Sequence, residues 1–210
     1  MAALTRADLR RFFAAVAERV PCRLKLVLTG GGAAMVLGGT RPTGDVDFGI
    51  VTTGPLDQVE RAIETAVAQT GVVVQYSTDI DRWSAVAIPR ARFRTRPYQR
   101  FGRLSVHLLE PKCWAVYKLA RYLDSDVDDL VAVLRRERPS PAALARLCGE
   151  SLRTSPRSPQ LFNFRRQVEH FFRTHGRAVW GARFAADDAI AAFARAAQSS
   201  GTAPEHTPRT

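Results

Sequence analysis

The segment from Leu28 to Phe48 reads LTGGGAAMVLGGTRPTGDVDF and constrains the fold more than any other part of the chain. A short apolar run, Leu24 to Thr29, reads as a strand. It runs into Gly30-Gly31-Gly32 and then a short helix, Ala33 to Leu37, which Gly38 and Gly39 end. A second strand, Asp45 to Val51, is entered through Pro42-Thr43-Gly44. A strand, a glycine turn, a helix and another strand in immediate succession imply a sheet with helices packed on it.

The same residues suggest a chemistry. Glycines at a strand-to-helix turn let backbone N–H groups approach a phosphate, and a helix N-terminus favours an anion. Taken alone, the run also suits an ordinary tight turn. Asp45 and Asp47 stand at i and i+2, so on a strand both point to one face. Adjacent carboxylates repel unless a cation lies between them. Mg²⁺ suits that position, because it is a hard ion held by few carboxylates, water and substrate phosphates. Mn²⁺ is the alternative.

Elsewhere the pattern alternates helices and strands. Thr5-Arg-Ala-Asp is a capping pattern ahead of Leu9, Phe12, Phe13 and Val16 at helical spacing. A helix is expected from Leu56 to Gln69, and strands at Val72–Tyr76, Ser84–Ile88 and Leu104–Leu109. Arg90 to Arg103 carries six arginines and no acid. Helices follow over Pro111–Tyr122, Val127–Glu137, Pro141–Cys148, Gln160–His175 and Asp187–Gln198, with a Ser/Pro/Arg linker at Ser151 to Pro159. The expected fold is α/β (α+β): a small mixed sheet flanked by helices over residues 1–138, a basic helical region over 139–198, and a disordered tail over 199–210.

Charge bears on partners rather than on fold. The 31 Lys and Arg against 20 Asp and Glu give a net +11, which favours polyanions, nucleic acid first. Residues 1–129 hold 18 basic and 14 acidic residues, whereas 130–210 hold 13 and 6, so the shorter part carries more of the excess. Three scattered cysteines without a CxxC pair argue against a disulfide framework or a zinc ribbon. No stretch approaches the roughly eighteen apolar residues of a membrane span, and no secretory signal stands at the start. A cytoplasmic protein that does not enter the membrane is expected.

Gly31-Gly32 followed by Asp45-x-Asp47 on the next strand resembles the signature of the DNA polymerase beta-type nucleotidyltransferases. Arg41-Pro42-Thr43-Gly44 ahead of it resembles the form found in the small nucleotidyltransferase toxins of bacterial abortive-infection and toxin–antitoxin systems. Lys118-Leu119-Ala120-Arg121, then Asp126 and Asp129, is similar to the block such proteins carry after the sheet. The likeness covers residues 24 to 137. It implies a Mg²⁺-dependent enzyme that moves an NMP from an NTP to an acceptor. Gly31 and Gly32 would cradle the triphosphate, Asp45 and Asp47 would bind the metal, and Arg41 and Thr43 would contact phosphates. Lys118 would face the triphosphate with Arg121 a helical turn beyond it, and Asp126 and Asp129 would position these cations. The expected acceptor is RNA, a tRNA 3′ end above all, with an antitoxin protein as a further partner. Many members of the family supply a third metal carboxylate from a later strand. Here His107 occupies that strand and Glu110 its end, so Glu110 is the candidate third ligand. The alternative is a catalytically degenerate relative that binds RNA or a protein.

Other conspicuous residues have plainer readings. Trp83, Trp114 and Trp180 are expected to be packing residues, and His170 and His175 to lie on different faces of their helix. Phe162, Phe164, Phe171 and Phe172, beside Arg165, Arg166 and Arg173, suit either an RNA platform or a helix that buries its aromatics; the second is the plainer reading. Asp124, Asp126, Asp128 and Asp129 read by themselves as a solvated turn and helix start.

Overall fold

A computed structural model describes residues 3–198; the tail expected over 199–210 lies outside the described residues. The chain opens with α1 (Arg6–Ala17), whose Thr5 and Asp8 form the expected reciprocal cap and whose Leu9, Phe12, Phe13 and Val16 are buried. Then come β1 (Leu24–Thr29), α2 (Gly30–Leu37), β2 (Asp45–Thr52), α3 (Leu56–Thr70) and β3 (Val73–Ser77). A 3-10 turn at Ile80–Trp83 precedes β4 (Thr95–Phe101) and β5 (Leu104–Leu109). The rest is helical: α4 (Pro111–Arg121), α5 (Asp124–Glu137), α6 (Pro141–Thr154), α7 (Pro159–Trp180) and α8 (Ala186–Gln198).

The five strands form one mixed sheet in the order β3-β2-β1-β5-β4. β1 pairs antiparallel with β2 and parallel with β5, β2 pairs parallel with β3, and β4 pairs antiparallel with β5. Strand alternation sorts side chains onto two faces. Leu26, Leu28, Val46, Phe48, Val106 and Leu108 share the buried face, where Phe12 and Phe13 of α1 meet Phe48 with ring centroids 6.1 and 6.5 Å apart. Thr29, Asp45 and Asp47 fall on the opposite face, at the end where α2 begins. The mixed α/β architecture is the one expected.

Several elements differ from the sequence reading. Ser84–Ile88 is not a strand: the Val86 and Ala87 N–H groups donate to Ser84 Oγ (3.1 Å) and Ser155 Oγ (2.9 Å) instead of a ladder, while Val86 and Ile88 are buried. The missing strand lies inside the arginine-rich stretch, as β4. As an edge strand it tolerates charge and a proline at a bulge, and its register shifts between Pro97 and Gln99. α6 also runs on to Thr154, which shortens the linker. The hydroxyls of Thr154 and Ser155 bond back to carbonyls one turn earlier, so these polar residues continue the helix end rather than break it.

α6 and α7 pack on α4, α7 also packs on α5, and α8 packs on α6. One buried apolar cluster runs unbroken from α1 to α8. Two arginines of the basic run tie the sheet edge to these helices: Arg92 makes a two-point bond to Glu150 (2.7 and 2.9 Å) and Arg96 to Glu137 (2.9 and 3.0 Å). In α7, Phe164, Phe171 and Phe172 are buried while Phe162 is exposed under Arg166. His170 and His175 are not on separate faces, since their rings meet edge to face with centroids 6.1 Å apart. Among the described residues, no helix is long and apolar enough to cross a membrane.

Candidate active site

β1 passes into α2 without a loop, and glycine makes the junction possible. Gly30 has φ +59°, and a Cβ there would lie 1.8 Å from Asp47 Oδ2. A Cβ on Gly31 would lie 2.5 Å from Thr43 Oγ1. The first two glycines therefore let the Asp47 carboxylate and the Thr43 hydroxyl approach the backbone. Gly32 does something else: it is buried against Leu28 and Val46, behind the cleft rather than on it. The structure therefore brings Gly31 to the cleft but not Gly32, which was expected beside it. Trp114, wholly buried, donates from Nε1 to the Gly30 carbonyl (3.0 Å) and braces the turn from below.

Asp45 and Asp47 stand side by side on β2, as the strand period requires. Thr43 Oγ1 donates to Asp45 Oδ1 (3.2 Å) and Gln75 Nε2 donates to Asp45 Oδ2 (3.1 Å). Burial raises the Asp47 pKa above the ordinary carboxylate value, and the charge of Asp45 adds to this. The more distant Arg121 and Lys118 and the Gly31 backbone oppose the rise without cancelling it. Two clustered carboxylates on a glycine-lined floor suit a hard divalent cation whose other ligands are phosphate oxygens and water.

The opposite wall is a network of cations and acids. The Lys118 side chain is 4% exposed, and its Nζ donates to Asp126 Oδ1 and Asp129 Oδ2, each at 2.8 Å, above the Trp114 ring at 5.5 Å from its centroid. Arg121 forks onto both oxygens of Asp126, and Arg41 reaches Asp129 at 3.3 Å. Burial pushes the Asp126 carboxyl up, but the hydrogen bonds and charges of Arg121 and Lys118 outweigh it and hold the pKa below the ordinary value. The same bond raises the Arg121 guanidinium. Asp126 and Asp129, at 0% and 2% exposure, are thus not a solvated helix start. Their neutralisation by three cations is what makes that burial tolerable.

Between these walls lies a cleft of about 390 Å³, lined among others by Gly30, Gly31, Arg41, Thr43, Asp45, Asp47, Lys118 and Arg121. Residues from both halves of the sequence pattern, separated by some seventy positions, therefore meet at one site. Glu110 does not join them: it precedes the first turn of α4, pairs with Lys112 at 3.3 Å, and lines a different groove with Arg92 and Arg94. His107 lies away from the cleft too, its Nδ1 3.2 Å from Thr95 Oγ1, and burial and the Lys25 charge hold its pKa low. Glu110 as third metal ligand is therefore not supported by its placement.

No family model, curated protein or solved structure matches the chain.

Sequence reasoning missed several lining residues: Gly30, Gln75, Trp83, Tyr117 and Leu123. Gly30 was legible as the first of the three glycines at the turn. Tyr117, one residue before Lys118 on α4, carried no spacing signal. Its hydroxyl donates to Asp81, and burial, then that bond, pushes its pKa up, so it stays protonated. Trp83 is not a packing residue but is 40% exposed on the cleft edge. An anionic floor for a metal, a cationic wall and backbone amides at a turn can together hold a polyphosphate and stabilise charge leaving it.

Proposed function

We propose that the protein is a Mg²⁺-dependent nucleotidyltransferase that moves an NMP from an NTP to an acceptor and releases pyrophosphate. The observation that carries this reading is the Asp45–Asp47 couple, without an ion pair among the described residues, lining one cleft together with the cations Lys118, Arg121 and Arg41. Mg²⁺, held by Asp45 and Asp47 with Mn²⁺ as the alternative, would neutralise the carboxylate pair and polarise the phosphate undergoing attack.

The chain's own groups divide the remaining work. Gly30 and Gly31 leave room at the turn for the Asp47 carboxylate and the Thr43 hydroxyl, which sets both groups beside the cleft. Arg41, whose Nε is buried without an acceptor, has a hydrogen bond to offer a phosphate oxygen. Lys118 and Arg121 are fixed by Asp126 and Asp129 before substrate arrives, so little reorganisation is needed as charge builds on the leaving pyrophosphate. In the step itself, the acceptor oxygen bonds to the α-phosphorus as the bond to the α–β bridging oxygen breaks. The electron pair leaves with pyrophosphate, and the acceptor proton passes to solvent.

The net +11 favours RNA as acceptor, a tRNA 3′ end first, and a toxin paired with an antitoxin protein in the cytoplasm is the setting the resemblance suggests. One observation favours a second reading. Asp45 and Asp47 are the cleft's acids among the described residues, with Glu110 elsewhere, which fits a degenerate relative that binds RNA or a protein partner. Incubation with each labelled NTP, Mg²⁺ and total tRNA, beside an Asp45→Asn/Asp47→Asn control, separates these. Label on RNA only with intact aspartates supports the enzyme and names its acceptor. Label on protein redirects the acceptor, and no transfer without NTP binding leaves the degenerate reading.

A further inference from the structure

Six large apolar side chains are exposed among the described residues: Val51, Leu56, Val73, Trp83, Leu123 and Phe162. Two of them, Trp83 at 40% and Leu123 at 54% exposure, line the cleft that holds Asp45 and Asp47. They come from separate elements. Trp83 ends the 3-10 turn, and Leu123 joins α4 to α5.

The turn that presents Trp83 is held on several sides. Ile80 packs on Gly49 of β2, where a Cβ would come within 3.2 Å of it. Asp81 accepts the Tyr117 hydroxyl from α4. The Asp79 carboxylate caps the Asp81 N–H at 3.0 Å, and the Ser84 N–H closes onto the Asp81 carbonyl at 2.9 Å. The indole itself has no hydrogen bond and no ring partner among the described residues. A fixed backbone thus presents an unpartnered aromatic side chain to a cleft that also holds Asp45, Asp47, Lys118 and Arg121. Such a cleft fits a ligand with a flat ring at one end and a polyanion at the other.

We infer that Trp83 is the stacking platform for the nucleobase of the donor NTP, with Leu123 as a second apolar wall. This rests on the nucleotidyltransferase reading of the same cleft and states how that site grips its donor. A π face senses ring area more than hydrogen-bond pattern. The donor site therefore prefers purine to pyrimidine triphosphates without choosing between adenine and guanine.

The test is calorimetric titration in Mg²⁺, without any acceptor, of three probes: the non-hydrolysable α,β-methylene analogues of ATP and CTP, and inorganic tripolyphosphate. Trp83→Ala should weaken the ATP analogue about tenfold, weaken the CTP analogue less, and leave tripolyphosphate unchanged; Trp83→Phe should regain most of the loss. Unchanged tripolyphosphate binding also reports that the variant is folded. An ATP analogue bound equally well by Trp83→Ala and wild type overturns the assignment, as does an equal loss of all three probes. If the wild type binds tripolyphosphate but Trp83 is indifferent, only the stacking assignment fails. If the wild type binds none of the probes, the nucleotidyltransferase reading fails with it.

Discussion

Of two aspartate pairs, one lines the cleft and the other lies behind its cations, and their surroundings are opposite. Asp126 and Asp129 sit on α5, buried, each bonded to Lys118, with Arg121 and Arg41 completing the neutralisation. Asp45 and Asp47 sit on β2 with a threonine hydroxyl and a glutamine amide as neighbours of Asp45, and no side-chain cation in ion-pair contact among the described residues. The first pair is a finished piece of structure. The second is an unbalanced one whose repulsion favours any cation that can enter. The chain balances its charge on α5 and leaves charge for a ligand on β2.

Four measurements break or sharpen this contrast. The largest effect belongs to the unbalanced pair: Asp47→Asn should cut NMP transfer at least about a thousandfold, the scale of several kcal/mol of metal charge stabilisation. The same change should leave the fold intact. The Asp47 pKa is raised in the folded state, so the folded protein holds that proton more tightly and loses stability as pH rises through the carboxylate range. At neutral pH the variant should therefore melt at or above the wild-type temperature, and Mg²⁺ should raise the melting point of wild type alone. A large loss of stability would show that the two pairs are not opposites.

Asp126→Asn should behave the other way. It leaves a buried ammonium and a guanidinium short of an acceptor, at a cost of about 3 kcal/mol read by denaturant unfolding. A wild-type unfolding curve from this variant would break the contrast from its other side.

Gly30→Ala should be smaller, at about 1–2 kcal/mol for a side chain at φ +59°. Its effect on transfer should exceed its effect on stability, because the new methyl displaces the Asp47 carboxylate. Equal losses of folding and transfer would make the glycine merely structural.

The smallest effect is a pH slope. The Asp126 pKa is lowered on folding, so its stabilising contribution is present above the unfolded value and is lost as pH falls below about 4. Stability measured against pH should fall less steeply in that range for Asp126→Asn than for wild type. Parallel curves would remove the network from the acid response.

Much of this was legible in the residues because it depends on short-range rules. The Thr5–Asp8 cap, the glycine junction at the end of β1 and the shared face of Asp45 and Asp47 follow from local geometry and period two. So do the order of helices and strands and the order of the two charged blocks. What was misread depended on distant partners. β4 hid among arginines because an edge strand can carry charges that a central one cannot, and two of those arginines found Glu137 and Glu150 far along the chain. Ser84–Ile88 lost its ladder in part to the Ser155 hydroxyl at the end of α6.

Spacing along the chain shows which residues could do chemistry: two carboxylates on one strand face, a glycine turn, and a lysine and an arginine one helical turn apart. Which of them meet is a matter of the tertiary fold. The fold brings Lys118 of α4 and Asp47 of β2 to one cleft, and it pairs Glu110 with Lys112. It also drew Asp126 and Asp129 out of water and left Trp83 at the cleft edge. The reason is the range of the forces. Backbone period and glycine freedom act between neighbours in sequence, whereas burial and ion pairing depend on what the fold brings within a few ångströms, which spacing along a chain does not encode.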